Sequence, residues 1–271
     1  MAGDFRILRL RRRGEHRHRP GAAVRFGRTP FACLALWGGV RGVRPRDAAA
    51  LLLLGGVVYA AVAGLYFYAL KVVPVSLAVL SFYVYPALVC LLAAAAGQER
   101  LGRTKLTALA VATAGLVMVV GPGLKYQGAW YGVAAALGAA LLYAVYLVMG
   151  TGLVRSVPPE WAATGVCTGA ALSWLGIGLG TGSLDLDFSP GGWLAIAGAS
   201  VVGTFLGVAW LFAALRRIGA SQTAIAGSLE PTVAVALSGL LLGEHLTWWQ
   251  VVGFWGILGG VGALALYGGG N

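Results

Sequence analysis

The sequence predicts an all-α integral membrane protein, a bundle of about eight full transmembrane helices. Its 271 residues are 59% hydrophobic and only 11% charged, and the mean hydropathy is +0.81. A soluble domain carries about 25% charged residues. Apolar runs of roughly 18–25 residues recur along the chain, each long enough to cross a hydrocarbon core of about 30 Å. Two long stretches also match each other in sequence, which indicates that the bundle contains related halves.

The internal match joins residues 69–101 to residues 214–246, without a gap, at an offset of 145 residues. Proline and glutamate are uncommon inside or beside apolar runs, so their coincidence in one register is hard to obtain by chance. Three informative positions hold the same residue in both copies: Ser76 and Ser221, Pro86 and Pro231, and Glu99 and Glu244. An internal duplication explains this register, and in so hydrophobic a chain it favours a membrane transporter with two related halves.

The first four spans are separated by short turns with the polar residues typical of a membrane edge. The first span begins after an arginine-rich N-terminus, and Lys71 lies in the turn that follows it. Residues 97–100 (Gly-Gln-Glu-Arg) separate the second span from the third, and Lys125 lies between the third and the fourth. These signals predict spans at Ala48–Leu70, Val73–Ala96, Lys105–Pro122 and Ala129–Gly150.

The other four spans have similar boundaries. Pro158 and Pro159 precede the fifth span, and residues 182–187, which include two aspartates, follow it. Two arginines at 216–217 separate the sixth span from the seventh, and the acid–histidine pair at 244–245 lies before the eighth. The predicted spans are Glu160–Thr181, Gly191–Leu215, Ala220–Leu242 and Trp248–Tyr267.

The basic residues of alternate turns predict the orientation, because cytoplasmic loops are enriched in lysine and arginine. The opposite side has only Lys71 and Lys125. The expected cytoplasmic side has nine: Arg41, Arg44, Arg46, Arg100, Arg103, Lys105, Arg155, Arg216 and Arg217. The C-terminus is expected on that side as well. In this arrangement the two copies cross the membrane in opposite senses, which makes the duplication an inverted repeat.

Residues 1–46 differ from the rest of the chain. They include twelve arginines against Asp4 and Glu15, whereas residues 47–271 have eight lysines and arginines against seven acids. The basic balance therefore belongs to this segment and does not indicate a nucleic-acid-binding domain. Its apolar part, Thr29–Val40, has about 12 residues, fewer than the roughly 17–25 that a span needs. We expect a disordered tail, a re-entrant remnant or an N-terminus that is not native.

The paired proline motifs resemble the EamA-type branch of the drug/metabolite transporter superfamily. The first copy has Tyr85-Pro86 followed by residues 97–101 (Gly-Gln-Glu-Arg-Leu), and the second has residues 228–231 (Ser-Leu-Glu-Pro) followed by residues 241–246 (Leu-Leu-Gly-Glu-His-Leu). The resemblance implies ten helices in two inverted repeats, of which this chain lacks the first helix and most of the second. The expected units are the segment 1–46, an incomplete first repeat at 47–123 and a second repeat at 124–271.

The same resemblance implies a secondary transporter that exports small organic metabolites across a prokaryotic cytoplasmic membrane by alternating access. Its expected partners are a metabolite, the lipid bilayer and a coupling proton, with no nucleic acid and no cofactor. A non-transporting remnant that lacks part of the cavity stays open as an alternative. A membrane-embedded enzyme is disfavoured, because the span interiors contain one acid and no histidine, whereas such chemistry needs cooperating groups. No histidine or cysteine cluster indicates a metal site.

Glu230 is the main candidate for a functional residue. It lies about ten residues into the seventh span, near mid-bilayer, where an acid costs on the order of 2.5–3.5 kcal/mol on insertion scales. We therefore expect its carboxylate to face the bundle interior or water. It would contact a cationic substrate or carry a coupling proton. The alternative is a buried acid that hydrogen-bonds to neighbouring backbone and only tunes packing.

The other candidates surround this acid. Pro86 and Pro231 each remove a backbone donor and predict helix breaks at matched positions. Thr223 and Gly227 lie on the same helix face as Glu230. Gly203, Gly207 and Trp210 share a face of the sixth span, which would receive a substrate or, as the alternative, the neighbouring helix. Trp210 and three tyrosines of other spans complete the predicted substrate- or proton-binding set, with aromatic belts and core packing as the alternatives for the tyrosines: Tyr143, Tyr146 and Tyr66. Glu99 and Glu244 lie at membrane-edge turns, where each is expected to cap the helix that follows it.

Overall fold

The computed structural model describes residues 43–100, 102–120, 130–184, 187–233, 237 and 247–267, and this part of the chain is helical with short turns. The predictions made for residues 1–42 and Glu244 fall outside the described residues. The helices are α1 Pro45–Val72, α2 Val75–Phe82, α3 Tyr85–Ala95, α4 Arg103–Val120, α5 Trp130–Leu153, α6 Pro159–Gly180, α7 Pro190–Gly227 and α8 Trp248–Tyr267. The predicted all-α membrane fold is confirmed.

Five helical stretches among the described residues are long and apolar enough to cross a membrane. They are α1, residues 77–95 across α2 and α3, α5, α6 and α7. The span predicted at Val73–Ala96 consists of two helices, with the break in front of Pro86 where a helix break is predicted. Within α7, Gly219 has a non-helical backbone and divides the stretch into two helical segments at the boundary predicted between the sixth and seventh spans.

Prolines and a serine set the beginnings of several helices. Pro45, Pro159 and Pro190 lie in the first turns of α1, α6 and α7. A first-turn N–H has no partner within the helix, so proline removes nothing there and its fixed φ favours the helical backbone. Ser189 also caps α7, because its hydroxyl accepts a hydrogen bond of 3.2 Å from the N–H of Gly192.

The two copies have the same helix pattern at the offset of 145 residues. Residues 45–72 of α1 correspond to residues 190–217 of α7, and each copy contains a π-helical stretch that begins at the equivalent position, Leu54–Tyr59 and Ala199–Leu206. π-Helical turns are rare in proteins. Their coincidence in the same register is therefore structural support for the duplication that the sequence predicts.

Helices α4 and α8, which are equivalent in the two copies, pack against each other in opposite directions. A Cβ placed on Gly115 would lie 2.7 Å from the carbonyl oxygen of Gly253, and one placed on Gly260 would lie 3.2 Å from that of Ala108. Gly115 and Gly260 are themselves equivalent at the offset of 145, as are Ala108 and Gly253. The contact of Gly115 with Gly253 thus corresponds to the contact of Gly260 with Ala108, as expected for an antiparallel helix pair about a two-fold axis.

A second close contact joins α1 to α6. A Cβ on Gly55 would collide with the backbone of Val166, and a Cβ on Gly169 would collide with the carbonyl of Leu52. Small residues allow two membrane helices to approach closely and gain van der Waals contact. The main core includes this contact and is built mainly from α1, α3, α5, α6 and α7, with Leu116 of α4 and Ile257 of α8. Its buried aromatic and aliphatic members include Tyr85, Tyr146, Leu147, Val166 and Phe212.

Candidate functional site

Both copies have a helix break in front of their proline. In the first copy α2 ends at Phe82 and α3 begins at Tyr85, one residue before Pro86. In the second copy α7 ends at Gly227, and residues 229–233, which include Pro231, form the helix that follows. The offset of 145 makes the two breaks equivalent and places Tyr85 opposite Glu230 in the alignment of the copies.

The break in the second copy exposes a backbone carbonyl to the first copy. A regular helix would pair the N–H of Ser228 with the carbonyl of Ala224, but here that N–H bonds to Ile225 at 3.1 Å. The hydroxyl of Tyr85 donates to the carbonyl oxygen of Ala224 instead, at 3.4 Å. This hydrogen bond joins residues 139 positions apart in sequence and connects the two repeats.

The carboxylate of Glu230 makes the second connection between the breaks. The hydroxyl of Tyr83, a residue in the break of the first copy, donates to Oε2 of Glu230 at 3.2 Å. Tyr83 is buried, whereas Glu230 is exposed. The acid therefore has one fixed hydrogen-bond donor from the opposite repeat and remains accessible to a small molecule.

Aromatic rings surround this pair of breaks. Phe82 is central, with its ring centroid 4.7 Å from Tyr66, 5.3 Å from Tyr85 and 5.5 Å from Tyr143. Tyr143 stacks on Tyr146 at 5.7 Å, and Tyr146 contacts Phe212 of the second repeat at 5.9 Å. The hydroxyl of Tyr146 is buried and has no hydrogen-bond partner among the described residues. We call this set the aromatic cluster: Tyr66, Phe82, Tyr83, Tyr85, Tyr143, Tyr146 and Phe212.

The structure brings most of the predicted site residues to this cluster. Tyr66, Tyr143 and Tyr146 belong to it, and Gly227 lies directly against the hydroxyl of Tyr85. Thr223 is buried on the same helix, but its hydroxyl bonds to the carbonyl of Gly219 at 2.7 Å and is already used.

Trp210 is not part of this site. Its side chain is 71% exposed and lines a separate pocket with Glu160 and Arg217 near the start of α6. The face predicted from Gly203, Gly207 and Trp210 also has no described atom within 4 Å of a Cβ placed on either glycine. Helical spacing does not tell which neighbour a helix face meets.

The sequence pattern did not single out Phe82 and Tyr83, which provide the central ring and the donor to Glu230. Tyr85 entered only as part of the proline motif. The signal that points to it is the offset of 145, because it aligns Tyr85-Pro86 with Glu230-Pro231. Residues equivalent to a functional acid in an inverted repeat lie on the opposite wall of the same interface.

We expect Gly227→Ala to destabilise the contact between the repeats. The new methyl group would collide with the hydroxyl of Tyr85, whereas the ring carbon that bears this hydroxyl would lie at an ordinary 3.5 Å. Overpacking of this kind costs about 1–3 kcal/mol. The combination with Tyr85→Phe removes the colliding oxygen and should recover most of the loss, which thermal unfolding of the two single variants and the double variant will measure. An additive double variant would contradict the contact.

A second connection between the repeats lies at the membrane edge, around Glu99. Its Oε1 accepts a hydrogen bond of 3.1 Å from the N–H of Ser221, and its Oε2 accepts one of 2.9 Å from Nζ of Lys105. Gly219 allows this approach, because its φ of +78° favours glycine and a Cβ there would lie 2.6 Å from Oε1. Glu99 therefore caps the helical segment that follows Gly219 in the second repeat. The prediction that it caps the helix following it in sequence is wrong.

Charge and hydrogen bonding keep Glu99 ionised. Burial raises the pKa of its carboxyl, but the hydrogen bonds from Lys105 and Ser221 outweigh burial and hold the pKa below its usual range. Both side chains of the ion pair are only 11% exposed. No group of three metal-ligating side chains that could hold an ion occurs among the described residues.

Comparisons with known proteins agree with two related halves. The model of the EamA-like transporter family matches residues 22–121 and 130–266, so the first match begins within the segment 1–46. One solved crystal structure superposes with a TM-score of 0.77, covering 91% of this chain and 87% of the other at 20% identity, which shows a shared fold. No curated protein sequence matches the chain. Because the family match covers both repeats, the chain belongs to the EamA-like transporter family and is a membrane transporter of the drug/metabolite type.

Proposed function

We propose that the protein is a secondary transporter that exports small organic metabolites across a prokaryotic cytoplasmic membrane, with its C-terminus in the cytoplasm. The observation that carries the proposal is the hydrogen bond between Tyr83 of the first repeat and Glu230 of the second, at the two helix breaks. Broken helices near the middle of the bilayer form the binding sites of many transporters with inverted repeats. The metabolite would bind there, between the halves.

Alternating access gives this contact a role. The repeats are connected at the helix breaks through Glu230 and at the membrane edge through Glu99. A relative rotation of the repeats would separate one of these contacts while the other acts as the pivot. Binding of a substrate or a proton at Glu230 would compete with the Tyr83 hydroxyl for the same carboxylate, and so link occupancy of the site to the position of the repeats.

Glu230 would carry either the charge of a cationic substrate or a coupling proton. An intramembrane acid is costly to insert and is a functional candidate for that reason. Among the described residues it accepts from Tyr83 alone, which leaves most of its acceptor capacity free. Aromatic faces of the cluster would support the apolar or cationic part of a substrate.

Transport by purified protein in proteoliposomes tests the proposal. We expect counterflow of at least one substrate from a panel of amino acids, nucleosides, sugars and small amines, at a rate several times that of empty liposomes. A pH gradient imposed on the same liposomes will show whether movement is coupled to protons. If folded, reconstituted protein moves no member of a broad panel, the remnant without a complete cavity becomes the better description.

A further inference from the structure

We propose that the pocket beside Trp210 binds the phosphate of a phospholipid head group. The pocket has a volume of about 580 Å³ and lies between the start of α6 and the second half of α7. Its lining includes Glu160, Trp210, Ala213, Arg216 and Arg217. This volume falls in the range of small-molecule sites, roughly 300–1,000 Å³. The pocket is separate from the aromatic cluster and has no part in the transport site described above.

The lining of the pocket has an excess of positive charge that no described residue neutralises. Arg216 and Arg217 are both exposed, and neither makes an ion pair or hydrogen bond with any described residue. Glu160 contributes the one negative charge of the lining, so two guanidinium groups leave a net charge of +1. Guanidinium groups bind phosphate oxygens with two parallel hydrogen bonds, which makes a singly charged phosphodiester a fitting ligand.

The position of the pocket favours a lipid. Trp210 precedes Arg217 by seven residues, or about 10 Å along a helix, and its indole is 71% exposed. Tryptophan is enriched at the membrane interface, and arginine extends to the head groups. The charge count assigns this end of α7 to the cytoplasmic side, where anionic lipids attract basic residues.

The adjoining surface of α7 offers space for an acyl chain. Gly207 and Trp210 share one helix face, Gly203 in the preceding π-helical stretch is also exposed, and no described atom lies within 4 Å of a Cβ placed on either glycine. This face continues from the pocket toward the middle of the membrane. A ligand that holds a phosphate at the arginines and a chain along this face is a glycerophospholipid.

Native mass spectrometry of the purified full-length protein tests the proposal with phosphatidylglycerol as the probe. A glucosyl-diacylglycerol with the same acyl chains provides a lipid without phosphate. We expect the protein to retain phosphatidylglycerol at least about tenfold more than the glycolipid, and millimolar inorganic phosphate not to displace it. Equal retention of the two lipids would overturn the phosphate site. Complete displacement by inorganic phosphate would assign the pocket to soluble phosphate compounds and overturn the lipid.

Variants of the residues that line the pocket test whether phosphatidylglycerol is retained there. Arg216→Gln combined with Arg217→Gln should lower retention of phosphatidylglycerol about tenfold. Arg155→Gln, which removes an exposed arginine on the same predicted side outside the pocket, should not change it. Ala213→Leu fills the pocket without a change of charge and should also lower retention, which keeps the test decisive should the double arginine variant misfold. Retention that is unchanged in Ala213→Leu, or lost equally in Arg155→Gln, would contradict the site.

Discussion

Glu230→Gln is expected to lower the transport rate at least tenfold, which corresponds to about 1.4 kcal/mol. In the wild type the hydroxyl of Tyr83 donates to Oε2 of Glu230 at 3.2 Å. Glutamine keeps the size of the side chain and an oxygen that can accept this hydrogen bond. It removes the negative charge and the ability to bind a proton. The packing of the helix breaks should therefore survive while the proposed function is lost. Initial rates of counterflow in proteoliposomes, measured from pH 5.5 to 8.5, provide the readout.

The pH series separates the two roles proposed for Glu230. A coupling carboxylate predicts that the wild type responds to a pH gradient and that Glu230→Gln catalyses only pH-independent exchange. A contact for a cationic substrate predicts that affinity for cations falls most while neutral substrates are affected little. Asp47→Asn is the matched control, because it makes the same change from acid to amide in the first turn of α1, many residues away along the chain from both helix breaks. Flux and pH dependence that are both unchanged in Glu230→Gln would remove this acid from the mechanism.

Glu99→Ala should destabilise the protein by about 2–3 kcal/mol. The substitution removes the acceptor for two donors, the N–H of Ser221 and the ammonium group of Lys105. Loss of a helix cap costs about 0.5–2 kcal/mol, and a hydrogen bond to a charged group contributes about 1.5–3 kcal/mol. The pair is only 11% exposed, so water replaces these bonds poorly. Thermal unfolding in detergent measures the change.

The same contact predicts how stability depends on pH. The pKa of Glu99 is lower in the folded protein than its ordinary value of 4.5. The unfolded chain therefore binds the proton more readily, and the contribution of Glu99 is complete above that value and declines as the pH falls below it. Glu99→Ala should remove this decline. Glu160→Gln is the control, since Glu160 makes no ion pair with a described residue; an equal loss of stability in both variants would contradict the assigned contact.

The fold was predictable because its determinants are local and periodic. Apolar runs locate the spans, and the offset of 145 residues gives the duplication without any knowledge of contacts. The packing of α4 against α8 agrees with it, since equivalent helices of an inverted repeat can meet about a common axis. The division of the second predicted span was less visible in hydropathy, because both sides of the break at Tyr83 and Val84 are apolar.

The candidate site was predictable only in part, because its bonds join distant positions. Glu230 was evident as a charge at membrane depth, but its donor Tyr83 lies 147 residues away in sequence. Glu99 was expected to cap its own neighbour, whereas its acceptor atoms meet Ser221, 122 residues away. Trp210 was grouped with the site from helical spacing, which reports a face and not its surroundings.

The alignment of Tyr85 with Glu230 has a consequence for the resting protein. In the proposed cycle, two identical halves would give inward-open and outward-open forms of equal free energy, since each form would be the other turned over. The phenol of Tyr85 on one half and the carboxylate of Glu230 on the other make the free energies of the two forms unequal. The empty carrier should therefore rest on a preferred side of the membrane, and this unequal pair would be one of the differences between the halves that set the sidedness of transport.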